Sequence, residues 1–184
     1  MKKKGIIIGA IIAMAIATIN GNDVKASEKI TAQELIESNI VTGDDIPEGE
    51  ELIGGVEEEV RFGGFGNAML AEVSGVVHIT SYATYSKADG MSVYVKLYAP
   101  WYTFTNPKFR AMTGVVSGNL GSKKFAKSIV KKANGTSTIS QTIDTGLKAK
   151  SGTKGKVDVK GGAVGDNVIT GAGAFSICYD VEIP

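Results

Sequence analysis

Residue types that could perform covalent chemistry are sparse in this chain, which has one histidine, His78, and one cysteine, Cys178. A cysteine nucleophile needs a basic partner close to its sulfur, and no sequence pattern brings these two residues together. A zinc site needs several histidine or cysteine ligands, and the glycines of 161–173 lack the Lys-Ser or Lys-Thr of a phosphate-binding loop. We therefore predict a protein that is not an enzyme and uses no metal or other cofactor.

Aromatic side chains offer a different chemistry, which is recognition by stacking and hydrogen bonding. The candidate binding residues are Tyr82, Tyr94, Lys96, Tyr98 and Trp101. Exposed aromatic rings with polar groups suit sugar rings or a protein partner. The alternative is that these tyrosines are packing residues, covered by a loop or by the N-terminal part of the chain.

Two alternating segments, 73–85 and 91–99, must position these aromatic residues. Each has apolar residues at odd positions and polar or aromatic residues at even positions, which is typical of strands with one buried face. Asp89-Gly90 suits the turn of a hairpin between them. The register that keeps both apolar faces together also pairs the outer residues: Tyr82 with Tyr94, Thr80 with Lys96, and His78 with Tyr98.

The rest of the body also has the pattern of strands separated by glycine-rich turns. The last segment, 175–183, alternates clearly, and we expect Cys178 to be half-buried within it. Further predicted strands are 109–117, 137–149, 155–160 and 168–171. This spacing predicts an all-β fold, an antiparallel β-sandwich of immunoglobulin-like size, with a barrel as the alternative.

The lysine-rich segment 122–134 is compatible with two structures. As a helix it is capped by Ser122 and by Asn134-Gly135. As a hairpin it turns at Asn134-Gly135, which sets Val130 opposite Ile139. We favour the hairpin because the neighbouring segments are strand-like.

The N-terminus has the three parts of a secretory signal peptide. Three lysines precede the apolar run Ile6–Ile19, and small residues before Ser27 predict cleavage between Ala26 and Ser27. The apolar run is shorter than the roughly twenty residues that span a bilayer. We predict a signal peptide at 1–26 and a secreted protein, extracellular or loosely associated with the cell surface. The single cysteine fits an exported bacterial protein better than a disulfide-stapled module.

The charge of the chain changes sign near residue 61. Residues 27–60 carry a net charge of −10, and residues 61–184 carry +8. We predict an acidic arm at 27–66, with a short helix that begins at Thr31, and a β-sandwich domain at 67–184. The helix has an apolar stripe of Leu35, Ile36 and Ile40. Proline, glycines and few apolar residues indicate an extended, mobile connector over 43–66.

These observations favour a secreted, non-enzymatic binding or surface-associated protein. Its candidate partners are a cell-surface glycan, an anionic membrane surface or another protein, whereas secretion argues against nucleic acid. One alternative is a membrane-active toxin or bacteriocin-like protein masked by its acidic arm. Another is a structural or assembly protein that self-associates, with the arm of one molecule contacting its neighbour.

Overall fold

A computed structural model describes residues 32–62, 75–100, 108–166 and 172–184. Several predicted features lie outside these described residues: the signal peptide at 1–26, its cleavage site between Ala26 and Ser27, the helix start at Thr31, Trp101 and the strand at 168–171.

Within the described residues, eight strands form two four-stranded antiparallel sheets that pack face to face. The front sheet has the order β1-β2-β3-β6, and its strands are Glu51–Phe62, Gly75–Ser86, Gly90–Tyr98 and Thr138–Leu147. The back sheet has the order β5-β4-β7-β8, and its strands are Lys123–Thr136, Lys108–Leu120, Lys154–Asp166 and Ala172–Glu182. The predicted all-β sandwich is confirmed, and the described strands form two open sheets instead of the alternative barrel.

The β2–β3 hairpin has the predicted register. Tyr85 pairs with Met91 and His78 pairs with Tyr98 at the two ends of the ladder. The odd residues of both strands face the core, where Ile79 and Leu97 are completely buried. The alternation in the sequence therefore specified both the pairing and the buried face, because a shift of one residue would expose every core side chain.

The core lies between the two sheets and receives alternating side chains from each strand. The last strand, β8, contributes Phe175, Ile177, Tyr179 and Val181, as its sequence pattern predicts. The intervening Cys178 points to the opposite side and is exposed. The prediction that Cys178 is half-buried is therefore wrong, because the outer face of this edge strand is open to solvent.

Segment 122–134 is a strand, but its predicted pairing is wrong. β5 forms a hairpin with β4 across a turn at Gly121 and Ser122, so that Val130 pairs with Thr113 and not with Ile139. After Thr136 the chain crosses to the front sheet, where β6 pairs with β3. The Asn134-Gly135 signal marks the end of β5 before this crossing, and not a tight hairpin turn.

The prediction of a mobile connector over 43–66 is wrong for Glu51–Phe62. This segment is β1, the edge strand of the front sheet, and it pairs with β2 along its whole length. Glu57 and Glu59 lie on the outer face of the sheet, in contact with water, and Glu58 on the other face is partly exposed because β1 is an edge strand. The sandwich therefore begins before residue 67.

β1 also approaches the back sheet. A side chain at Gly54 would collide with the carbonyl oxygen of Asp180 in β8. Glycine at this position therefore allows the two edge strands to come close, at a register irregularity between Leu52 and Gly54. The beginning of β1 and the end of β8 consequently meet at one corner of the sandwich, where Glu51 and Ile183 border the same cavity.

Before β1, the arm packs against the outer face of the front sheet. It contains helix α1, Ala32–Glu37, and a single 3-10 turn, Gly43–Asp45. Asn39, two residues beyond the helix, has a left-handed φ of 56° and turns the chain away from the helix axis. Leu35 is completely buried, whereas Ile36 is 49% exposed, so the predicted apolar stripe is wrong for Ile36. Among the described residues, no helix has the length and apolar character needed to cross a membrane.

Candidate functional site

The outer face of the front sheet presents three rows of side chains that cross β1, β2, β3 and β6. The pairing of the strands defines these rows. The covered row is Gly55, Tyr82, Tyr94 and Thr142; the middle row is Glu57, Thr80, Lys96 and Ser140; the end row is Glu59, His78, Tyr98 and Thr138. The arm lies over Gly55, Tyr82 and Tyr94 of the covered row, whereas Thr142 at the end of this row is exposed. The other two rows border the open part of the face.

The covered row holds an aromatic pair beneath the arm. The rings of Tyr82 and Tyr94 are stacked, with centroids 4.8 Å apart and an interplanar angle of 7°. Tyr82 is 7% exposed and packs with Leu35 and Val41 of the arm. Its hydroxyl donates a hydrogen bond of 2.9 Å to the backbone carbonyl of Asp45. These contacts attach the arm to the sheet.

Gly55 makes room for the helix of the arm. A Cβ atom added at Gly55 would lie 2.6 Å from a methyl group of Leu35 and 2.7 Å from the Cβ of Tyr82. Any side chain on this residue of β1 would therefore displace Leu35 from the sheet. Gly55 makes the sequence of β1 less typical of a strand, but the same residue allows the arm to dock on the sheet.

The open rows and the edge of the arm enclose a groove of about 500 Å³. Its lining combines two rings, one aliphatic side chain and several polar groups: Ile40, Glu57, His78, Thr80, Lys96, Tyr98 and Thr138. Tyr98 is 40% exposed, so its ring is accessible to a ligand. We call this cavity the front groove.

His78 lies at the centre of the polar groups in the front groove. Its Nδ1 is 3.4 Å from Oε1 of Glu57, and its Nε2 is 3.9 Å from Oε1 of Glu59. The ring centroid of His78 is 6.3 Å from that of Tyr98. The hydroxyl of Thr80 donates a hydrogen bond of 2.9 Å to the other oxygen of Glu57. The groove therefore presents an oriented carboxylate beside two rings.

The arm adds fixed charges above the sheet. Hydrogen bonds from the backbone and hydroxyl of Thr42 hold the pKa of Asp45 below its usual value, and the nearby charge of Lys96 contributes to the same shift. Burial raises the pKa of Tyr82, and burial also raises the pKa of Tyr94, with a contribution from Glu50. The covered tyrosines therefore remain neutral, while the carboxylate of Asp45 remains ionised beside Lys96.

The structure divides the predicted binding residues into two groups. Lys96 and Tyr98 line the front groove, whereas Tyr82 and Tyr94 lie beneath the arm. Trp101 lies outside the described residues. Sequence reasoning missed Glu57, because it assigned that residue to a connector. The apolar residues Ile53, Val56 and Val60 around the acidic run were the available signal of a strand.

The single histidine and the single cysteine lie on opposite sides of the molecule. His78 faces outward from the front sheet and Cys178 faces outward from the back sheet, so the core separates them. Across the described ranges, no three histidine, cysteine, aspartate or glutamate side chains are grouped so that they could hold a metal ion. The front groove thus offers hydrogen bonds, charge and ring stacking.

Comparison with known proteins adds no relative: no family model, no curated protein and no solved structure matches this chain.

Proposed function

We propose that this protein is an exported, non-enzymatic binding protein that holds a glycan in the front groove. The observation that carries the proposal is the exposed ring of Tyr98 beside His78, whose Nδ1 lies 3.4 Å from the carboxylate of Glu57. Predicted secretion fits such a role, because a cell-surface glycan would be accessible to a protein outside the cell.

The lining of the front groove matches the two chemical surfaces of a sugar ring. A pyranose has an apolar face of C–H groups, which packs on an aromatic ring, and a rim of hydroxyl groups, which need hydrogen-bond partners. Tyr98 supplies the ring, and Glu57, Thr80 and Lys96 supply acceptors and donors around it. Ile40 of the arm provides an apolar wall on one side.

The charges of the groove favour some sugars over others. Glu57 and Glu59 border His78, and Lys96 is the basic residue in the neighbouring row. Two carboxylates repel an acidic sugar and attract an amine. We therefore infer a neutral or amine-bearing glycan, with acidic glycans excluded.

Calorimetric titration with three oligosaccharides of similar length tests this proposal. The probes are oligomers of N-acetylglucosamine, of glucosamine and of galacturonic acid, which are neutral, basic and acidic. We expect binding of the first two and not of the third. Tyr98→Ala removes the stacking surface and should weaken binding by roughly tenfold, whereas Tyr98→Phe should retain most of the affinity.

Thr142→Ala is the matched control, because Thr142 lies exposed on the same face but does not line the groove. This variant should bind like the parent protein. The proposal is wrong if none of the three probes binds, if the acidic oligomer binds best, or if Tyr98→Ala and Thr142→Ala bind the glycan equally well.

A further inference from the structure

Positive charge is concentrated in one hairpin of the back sheet. Residues 108–136, which contain β4, its turn and β5, carry seven basic residues and no acidic residue. The basic residues are Lys108, Arg110, Lys123, Lys124, Lys127, Lys131 and Lys132. Nearly all of the net charge of +8 in residues 61–184 therefore comes from this hairpin.

The lysines of β5 project from both faces of an edge strand. Lys124 and Lys132 share the outer face of the back sheet, whereas Lys127 and Lys131 alternate with the buried Phe125 and Ile129 on the other face. All four of these lysines are exposed. In the described part of the chain, none of the four makes an ion pair with a carboxylate.

Two exposed valines lie among these charges. Val130 of β5 is 67% exposed and Val115 of β4 is 45% exposed. Val115 pairs with Ser128, so Val130 is its diagonal neighbour on the same outer face. Lys160 pairs with Val115 from the other side, and Lys132 follows Val130 on the same outer face of β5, so a basic side chain lies beside each valine.

Protection of a sheet edge explains only part of this arrangement. Lysines on an edge strand prevent pairing with another chain, and this accounts for charges on β5. It does not account for exposed valines, and Val115 belongs to an interior strand of the sheet. Basic side chains around exposed apolar side chains are instead typical of a surface that rests on lipid, where the charges meet headgroups and the apolar groups enter the interface.

We propose that the β4–β5 hairpin docks on the surface of an anionic lipid bilayer. A soluble polyanion would neutralise the lysines equally well, but it would not bury the valine side chains. The combination of basic and exposed apolar side chains therefore favours a bilayer. The arm and the front groove belong to the opposite sheet. A docked molecule would therefore hold the front groove away from the membrane, and neither proposal depends on the other.

Co-sedimentation with vesicles tests the docking surface. The full chain is mixed with vesicles of phosphatidylcholine alone and with vesicles that contain one quarter phosphatidylglycerol. Lys2, Lys3 and Lys4 before the apolar N-terminal run also favour anionic lipid, but they are common to every variant, so the difference between the parent and the hairpin variant reports the hairpin. We expect binding at least tenfold tighter to the anionic vesicles, decreasing as salt is added.

A quadruple variant removes the charge, with Lys124, Lys127, Lys131 and Lys132 each changed to Gln. At roughly fivefold for each lysine, its affinity for anionic vesicles should fall by up to about 600-fold, which removes the preference over phosphatidylcholine. The matched control changes four exposed lysines outside β4 and β5 to Gln: Lys87, Lys148, Lys150 and Lys154, of which Lys148 and Lys150 lie beside the turn of the hairpin. The control should lose clearly less affinity. An equal loss in both variants, or a parent protein that does not prefer anionic vesicles, overturns the proposal.

Val130→Ser distinguishes a bilayer from a soluble polyanion. It should weaken binding to anionic vesicles severalfold and leave binding to soluble polyphosphate unchanged. If Val130→Ser binds both probes as the parent does, the partner is a polyanion and the lipid proposal is wrong. Circular dichroism of each variant confirms that the exposed substitutions leave the fold intact.

Discussion

At the scale of single residues, a hydrogen bond crosses the core between the two sheets. The hydroxyls of Ser81 in β2 and Tyr179 in β8 lie 3.1 Å apart, and both residues are buried. The pair fixes the position of one sheet relative to the other at a point where the surrounding contacts are apolar. A hydroxyl left without a partner in such a place costs more than the bond itself contributes.

We expect Ser81→Ala to lower the free energy of unfolding by about 1–3 kcal/mol, because it leaves the buried hydroxyl of Tyr179 unpaired. Tyr179→Phe should cost about 1 kcal/mol, and the double variant should cost less than the sum of the two. Urea unfolding measures all three. Ser140→Ala, at an exposed position of the front sheet, is the control. Strictly additive losses would contradict the interaction.

Because Tyr179 is buried, we also expect the stability of the folded protein to decrease at alkaline pH. Burial raises the pKa of Tyr179 and of Tyr82 above the ordinary value of 10.0. The unfolded chain therefore loses these protons above about pH 10, while the folded protein retains them. The contribution of these two protonated tyrosines to stability is complete below pH 10. It is lost as the pH rises from 10 toward their pKa values in the folded protein.

We expect the stability to fall by up to about 1.4 kcal/mol per pH unit for Tyr179 above pH 10. Urea unfolding at pH 8, 10 and 11 measures this dependence. Tyr179→Phe removes a titrating group, so its stability should depend less steeply on pH than that of the parent. Parallel curves for the two proteins would show that the buried tyrosine does not control the alkaline transition.

At the scale of elements, the arm depends on the sheet for its structure. Helix α1 has six residues, which is too short to be stable alone in water. Its attachment depends on Leu35, which is buried against Gly55 and Tyr82. The arm is therefore an element that can separate from the front sheet without unfolding the sandwich.

We expect Leu35→Ala to release the arm, because the lost packing, about 2–5 kcal/mol, exceeds what a short helix can compensate. Hydrogen exchange should show faster exchange over 33–41, while β2 and β3 keep their protection. Ile36→Ala is the matched control, because Ile36 is largely exposed on the same helix. Unchanged protection of the arm in Leu35→Ala would contradict this dependence.

The elements also differ in how far the sequence could predict them. β2, β3 and β8 were predictable because apolar and polar residues alternate strictly, so local pattern and burial agree. β1 was missed because a glycine pair and an acidic run resemble a linker, although the glycines admit the arm and β8. The pairing of β5 was predicted wrongly because the local Asn134-Gly135 signal gives no information about a crossing between sheets.

For the candidate site, too, the sequence predicted the local strand pairing but not the contacts between distant segments. The pairing of Tyr82 with Tyr94 followed from the hairpin register, and the structure confirms it. Whether those rings were exposed depended on the place where the arm docks, which is a tertiary contact between distant segments. The sequence therefore identified the sheet face that carries the aromatic residues and allowed packing as their alternative role. It could not show that Tyr98 is exposed whereas Tyr82 and Tyr94 are covered by the arm.

At the scale of the whole molecule, the two sheets differ in charge. Residues 32–62, which form the arm and β1, carry ten acidic residues and one basic residue. The β4–β5 hairpin in the back sheet carries only basic charge. A molecule with opposite charges on separate surfaces can contact a second copy through unlike patches, which gives an open, heterologous contact.

We expect weak self-association at low ionic strength, with the hairpin of one molecule against the acidic side of its neighbour. Sedimentation velocity in about 10 mM salt should show a concentration-dependent increase in mass that disappears at roughly 0.5 M salt. The quadruple lysine variant of the hairpin should remain monomeric in both buffers. A parent protein that is monomeric at every concentration in low salt would exclude assembly through these charges.

The corner where β1 meets β8 has a consequence for the connectivity of the sandwich. The first strand begins beside the point where the last strand ends, and Gly54 allows the contact between them. A few added residues could therefore join β8 to β1 directly, and the backbone could be opened at the exposed turn between β2 and β3 instead. Such a circular permutant would keep every strand pair, because the order of strands in space does not depend on which one comes first.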